Sequence, residues 1–143
     1  MAAKTILYPM LAMVALTAIV AVTMYQRRIA EMRARRVHPQ RLALSAQIAS
    51  ALEDTRAADN FRNLFEAPVL FYAAVLTIYA TQLTSPLYVG LAWGFVATRV
   101  AHSAIHCTYN RVMHRFFAFV SGVLIVFAIF GVIAFDLVVD NRG

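Results

Sequence analysis

The sequence is short of charge, and above all of negative charge. Only 14% of its 143 residues are charged, against about 25% in soluble domains. Asp and Glu number seven against thirteen Lys and Arg. Cysteine is nearly absent: Cys107 stands alone, which excludes an intrachain disulfide and any CxxC or zinc pattern. No internal repeat or low-complexity tract is present. What fills the space is apolar, 62% of the chain. A chain of one-domain length cannot hide that much apolar surface in a water-soluble core, so the bilayer is part of its solvent. The net charge of +6 raises the question of nucleic acid. However, Arg27, Arg28, Arg33, Arg35, Arg36 and Arg41 crowd beside one apolar run, which is how topology-setting charge is placed. The expected partner is membrane lipid, not nucleic acid.

Residues 1–143 read as a single all-α integral membrane domain with four transmembrane helices, at about 5–25, 61–82, 86–109 and 116–139. Each run approaches or exceeds the roughly 20 residues needed to cross the hydrocarbon. The first is too long for the apolar core of a signal peptide. Gln26-Arg27-Arg28 follows it instead of a small-residue cleavage site. Ser85 before Pro86 gives the third span a helix start. Most arginines lie in the first loop and in the turn after the third span, while the opposite side keeps only Lys4 and Arg142. The positive-inside rule then places loop and turn in the cytoplasm and both termini outside. Within the loop, Val37-His38-Pro39-Gln40 is a break. Leu44, Ile48 and Leu52, with Glu53, Asp54 and Arg56 nearby, predict an amphipathic helix at the interface.

Two polar clusters lie where the membrane makes them expensive. Asn63 and Glu66, three apart, would share a helix face at the start of the second span, just before Pro68. Arg99, His102, His106 and Tyr109 on the third span fall within about 80° of arc on an ideal helix. Such a stripe faces a partner helix, a cavity or water. One reading is a buried structural pair of Arg99 with Glu66, the one carboxylate in the inner half of the spans. The other is a polar cavity between the second and third spans, open to the cytoplasm, that binds an anion. Arg111, His114 and Arg115 cap its mouth, either as positive-inside residues or as holders of an anionic ligand. His102 and His106 have metal-ligand spacing, but no HExxH-type motif supports a metal site. Cys107 reads as a small buried hydrophobe. Asp136 and Asp140 read as a solvated helix end. Ala12, Ala15 and Ala18, and Ala92, Ala97 and Ala101, would permit close helix contact.

The segment from Thr55 to Glu66 resembles the ER-x(6)-N-x-x-E signature of the MAPEG superfamily, the membrane-associated proteins in eicosanoid and glutathione metabolism. Arg56, Asn63 and Glu66 fall on its arginine, asparagine and glutamate. The Arg99–Tyr109 stripe, with Arg111 and Arg115, is similar to that family's third helix. The resemblance, to a bacterial-type member, implies a left-handed four-helix bundle, a homotrimer, and in a bacterium the inner membrane. It also implies glutathione bound between subunits as co-substrate, with transferase, peroxidase or isomerase chemistry on a lipophilic substrate. Carried over, Asn63, Glu66 and Tyr109 contact glutathione, and Arg111 or Arg115 stabilises its thiolate. Arg56, Arg99, His102 and His106 are further binding candidates. The pattern is broken at three places. Thr55 replaces a glutamate, Asp59 stands where glutathione-active members carry an arginine, and Ala67 replaces a frequent tyrosine. These differences leave open a non-enzymatic member of the same fold: a scaffold, an accessory subunit or a binder of another ligand.

Overall fold

The computed structural model describes residues 3–37 and 53–140. The amphipathic helix expected through Leu44, Ile48 and Leu52 lies outside them. The described residues are helical throughout, apart from turns. After a 3-10 turn at Ala3–Ile6 come α1 (Leu7–Arg35), α2 (Arg56–Asn63), α3 (Ala67–Ala80), α4 (Pro86–Cys107) and α5 (Val112–Asp140).

Helix α1 is longer than the predicted first span. Nothing between Tyr25 and Arg35 is a helix breaker, so the helix continues through the basic segment that the charge pattern assigns to the loop. It stops where Arg36 turns left-handed at φ 53°. There Arg36 N–H donates to the Arg33 carbonyl and Val37 N–H to that of Met32, the paired bonds of a Schellman stop.

The second span is not one helix. It is α2 and α3, broken at Leu64–Glu66. Pro68 has no N–H to give Leu64, and it disfavours the helical conformation of Ala67. The chain therefore restarts with Pro68 in the first turn of α3. Asn63 and Glu66 accordingly do not share a continuous helix face. The third predicted span ends two residues early, at Cys107, and begins as expected with Pro86 in its first turn. Ser85 is extended there but makes no side-chain cap bond. Helix α5 starts earlier than expected, at Val112.

Helix α4 packs most extensively against α5, α1 packs against α2 and α4, and α3 packs against α5. The shared core holds Met13, Phe71, Val75, Tyr88, Phe95 and Ile129. Phe71 of α3 stacks on Phe95 of α4 with ring centroids 4.4 Å apart. Gly122 of α5 lets that helix close on α4. A methyl group there would sit 2.8 Å from Thr98 Oγ1. The outer surface is apolar, with Leu11, Ile19, Leu76, Leu124, Phe127 and Phe135 all exposed. Three segments, Ala3–Arg35, Arg56–Ala80 and Val112–Val139, are long and apolar enough to cross a membrane. Helix α4, at about 33 Å, has the length as well but carries a polar stripe.

Asp136 is not simply solvated. It accepts a 2.7 Å hydrogen bond from the hydroxyl of buried Tyr88, joining the start of α4 to the end of α5. The Asp140 side chain is outside the described residues.

Candidate functional site

The stripe on α4 faces inward. Arg99 is fully buried, and His102 and His106 are 2% and 3% exposed. Their 3.6-residue spacing turns them onto α5 and onto the break between α2 and α3. Tyr109 does not join them. The helix ends at Cys107, and Asn110 adopts φ 50°. The chain thus leaves the helical path and leaves Tyr109 57% exposed. Its hydroxyl meets His114 Nδ1 at 3.1 Å.

Arg99 and Glu66 do not form a contact ion pair. Among the described residues no carboxylate lies within ion-pair distance of Arg99. Its Nη2 donates instead to the main-chain carbonyl of Asn63, at 3.2 Å. Because the helix is broken there, that carbonyl otherwise accepts only a long 3.4 Å bond from the Glu66 N–H. In a continuous helix it would be taken by the N–H four residues on. The guanidinium also lies 5.5 Å from the Phe119 ring centroid, where the negative ring face attracts it. Arg99 Nε and Nη1 are buried with no hydrogen-bond partner.

Arg115 organises the other side. Its Nη1 donates to His106 Nε2 and to Asn110 Oδ1, each at 2.8 Å. Its main-chain carbonyl lies 3.1 Å from His102 Nδ1. A guanidinium only donates and a carbonyl only accepts, so these partners fix both neutral tautomers. His102 carries its proton on Nδ1 and leaves Nε2 as a bare acceptor. His106 carries its proton on Nδ1 and accepts at Nε2. His102 Nε2 and His106 Nδ1 are buried and unpartnered.

His102 and Arg115 line a cavity of about 210 Å³ together with Asn63, Glu66, Val112, Phe116 and Phe119, while Arg99 and His106 are not part of its lining. It lies between α5, α4 and the α2–α3 break, where the second and third predicted spans meet. Asn63 and Glu66 both reach it, from opposite sides of the break. Of the two arginines proposed for thiolate stabilisation, Arg115 lines the cavity. Arg111 is exposed and outside it. A larger apolar groove, about 600 Å³, runs between α1 and the α2–α3 segment past Met10, Val14, Leu64, Phe65 and Tyr72.

Arg56 is also outside the cavity. Its Nη1 donates to the Thr108 carbonyl at 2.6 Å, and its Nε and Nη2 donate to Asp54. Arg27 of α1 donates to the Cys107 carbonyl at 2.8 Å and pairs with the same Asp54. Arg27, Asp54 and Arg56 thus form a staple on the open carbonyls at the end of α4. The Arg56 hydrogen bond, before the smaller pull of Arg27, holds the Asp54 carboxyl below its ordinary range. Glu31 fastens this segment to α1 by accepting the Glu53 N–H at 2.7 Å.

Asn60, missed in the sequence, is fully buried. It accepts from Ser103 Oγ and donates to Cys107 Sγ at 3.5 Å. Its place on the α4-facing side of α2, one turn before Asn63, was the available signal. Thr55 donates to Asp59 at 2.9 Å, so two of the departures from the signature are hydrogen-bonded to each other. Among the described residues no group of three or more His, Cys, Asp or Glu could hold a metal ion.

No curated protein and no solved structure matches the chain closely enough to be named as similar. The profile of the MAPEG family matches residues 6–135, nearly the whole of the bundle. With apolar helices long enough to cross a bilayer, this is a membrane protein, and the chain belongs to the MAPEG family.

Proposed function

We propose that the chain is a glutathione-dependent membrane enzyme, a transferase or peroxidase acting on lipophilic substrates, and that it works as a homotrimer of four-span subunits. The carrying observation is the set of buried, unpartnered donors one contact behind the cavity's lining: Arg99 Nε and Nη1, where Arg99 touches Asn63 and Phe119, and His106 Nδ1, where His106 touches Arg115. Each such donor costs about 1–3 kcal/mol while it lacks an acceptor, and a charged one more. An anionic, acceptor-rich ligand removes that cost. Glutathione fits the donor set. Its carboxylates suit the guanidinium groups, and its ammonium suits Glu66 or the His102 Nε2 lone pair. At about 210 Å³ the cavity is below the roughly 300–1,000 Å³ of small-molecule sites. A site completed by a neighbouring subunit accounts for the difference.

Bound glutathione supplies a nucleophilic thiol. The chain's own part falls to named residues. Arg115, kept at the wall by His106 and Asn110, places a permanent cation where the sulfur ionises, which favours thiolate. Asn63, Glu66 and His102 hold the peptide portion at the lining, with Arg99 and His106 behind them. Val112, Phe116 and Phe119 exclude water on the α5 side. Arg56, Tyr109 and Arg111 lie outside this cavity in the subunit, and the proposal gives them no ligand contact within it. The apolar groove and the outer surface suit a lipophilic co-substrate arriving from the bilayer.

In the membrane, α4 crosses with its polar stripe turned inward, and the arginine-rich end is cytoplasmic with both termini outside. Support for the trimer comes from Ala15, Ala18, Ala97 and Ala101. These small residues are exposed in the single subunit and open to close contact with another. A second reading, a non-catalytic binder, scaffold or accessory subunit, is favoured by Asp59 and Ala67 in place of the family's arginine and tyrosine. The test is turnover of glutathione with a generic electrophile and with a lipid hydroperoxide by the detergent-purified protein. Turnover that falls at least tenfold in Arg115→Gln supports the enzyme. Binding without turnover supports the second reading, and neither binding nor turnover removes glutathione from the account.

A further inference from the structure

Helix α1 leaves the apolar region as a continuous rod. Counting about 1.5 Å per residue from Leu7, Arg28 is about 32 Å along and Arg33 about 39 Å, against a hydrocarbon core of about 30 Å. These arginines are therefore at and just past the apolar edge, at headgroup depth. The rod has two faces. Arg27, Glu31 and Arg35, each about 40° on from the last, turn to the 53–54 segment and are ion-paired or hydrogen-bonded there. Arg33 lies on the opposite side, Arg36 follows the end of the helix, and both are exposed.

Apart from Glu66, which is exposed and makes no ion pair among the described residues, the carboxylates at this end already have partners. Glu31 and Glu53 take Arg35, and Asp54 takes Arg27 and Arg56. Asp59 accepts from Thr55. Among the described residues Arg28 and Arg33 of α1, Arg36 just after it, Arg62 of α2 and Arg111 of the α4–α5 turn make no ion pair and no side-chain hydrogen bond. They belong to one end of the molecule, because the staple brings Arg27, Arg56 and the end of α4 to a common level. The folded protein thus carries a rim of un-neutralised guanidinium groups at headgroup depth.

We propose that this rim binds the headgroups of anionic phospholipids, with Arg33 and Arg36 as its outer contacts. A guanidinium fork matches a phosphate diester oxygen pair, and a net-neutral zwitterionic headgroup gives less electrostatic return. The proposal depends only on the protein being in a bilayer and not on what fills the cavity.

The test is native mass spectrometry of the full chain after equilibration in micelles with equal phosphatidylglycerol and phosphatidylcholine. The expected result is roughly fivefold retention of phosphatidylglycerol over phosphatidylcholine, the factor for one engaged basic residue. The enrichment should fall as salt rises and be reduced in R33Q/R36Q. These two side chains are exposed and unpaired, so the variant should melt with the wild type. The wild-type preference and its salt dependence are read without any variant. Equal retention of both lipids, a preference insensitive to salt, or full retention by a folded R33Q/R36Q would overturn the proposal. So would displacement of the lipid by inorganic phosphate at equal concentration, which would make the site one for free phosphate.

Discussion

Arg99 is a full charge held by one carbonyl and one aromatic ring, and its remaining donors have nothing to bind. Replacing such a group by an apolar side chain of similar length is often neutral or stabilising. Arg99→Met should therefore leave the melting temperature of the ligand-free protein unchanged or raised, while abolishing any stabilisation by glutathione. Melting curves with and without glutathione check both halves. Glu66 is exposed and makes no ion pair with Arg99, so Glu66→Ala should shift unfolding by no more than about 0.5 kcal/mol and act on ligand affinity alone. A melting temperature that collapses in Glu66→Ala would restore the direct pair. The sequence showed that Arg99 needed a partner, but counting carboxylates found the wrong one. The partner is a main-chain carbonyl, left with only a long bond from Glu66 N–H by the helix break at Leu64–Glu66 that Pro68 causes. Side-chain inventories do not register main-chain acceptors, and the apolar run that holds Tyr88 gives no sign of its hydrogen bond to Asp136.

The elements meet at two tight places. At Gly122 a Cβ would come within 2.8 Å of Thr98 Oγ1, whereas at Gly131 it would meet nothing within 4 Å. Gly122→Ala should push α5 off α4 beside Arg99 and cost about 1–3 kcal/mol, as overpacking does. Gly131→Ala on the same helix should be neutral or slightly stabilising, because alanine is the better helix former. Equal melting temperatures for the two variants would contradict this packing. The staple at the end of α4 gives a pH dependence. Asp54 is held below its ordinary value, chiefly by Arg56. Its contribution is complete above the unfolded value of about 3.9 and is lost as pH falls through the lower folded value. The wild type should lose thermal stability below about pH 4. Asp54→Asn should flatten part of that slope and cost about 1 kcal/mol at neutral pH, in keeping with a half-exposed pair. An unchanged slope would assign acid sensitivity elsewhere. At this scale the sequence was legible where a breaker stands at a boundary, as at Pro86. It was less so where charge was taken to end a helix: the arginines after Tyr25 are good helix formers, and α1 runs through them.

The whole molecule was the most legible level, because apolar excess and scarce charge leave a bilayer as the one solvent that fits. The helix signatures at Asn63, Glu66 and Arg99 then pointed to the family. Which polar residues converge was only partly readable. Arg115, His102, Asn63 and Glu66 share a cavity, while Arg56 and Tyr109 are drawn off by the staple and by the early end of α4. Assembly is a separate expectation. Mass measurement in native detergent should give three chains, and a monomer alone would remove the shared site. The central claim is that the buried donors of Arg99 and His106, with Arg115, await an anionic thiol. Its most direct measurement is calorimetric titration of glutathione into the detergent-purified protein, wild type beside Arg99→Met. The account predicts saturable binding to the wild type, weakened at least tenfold in a variant that melts no lower. No heat of binding in the wild type, or equal affinity in both proteins, would contradict it.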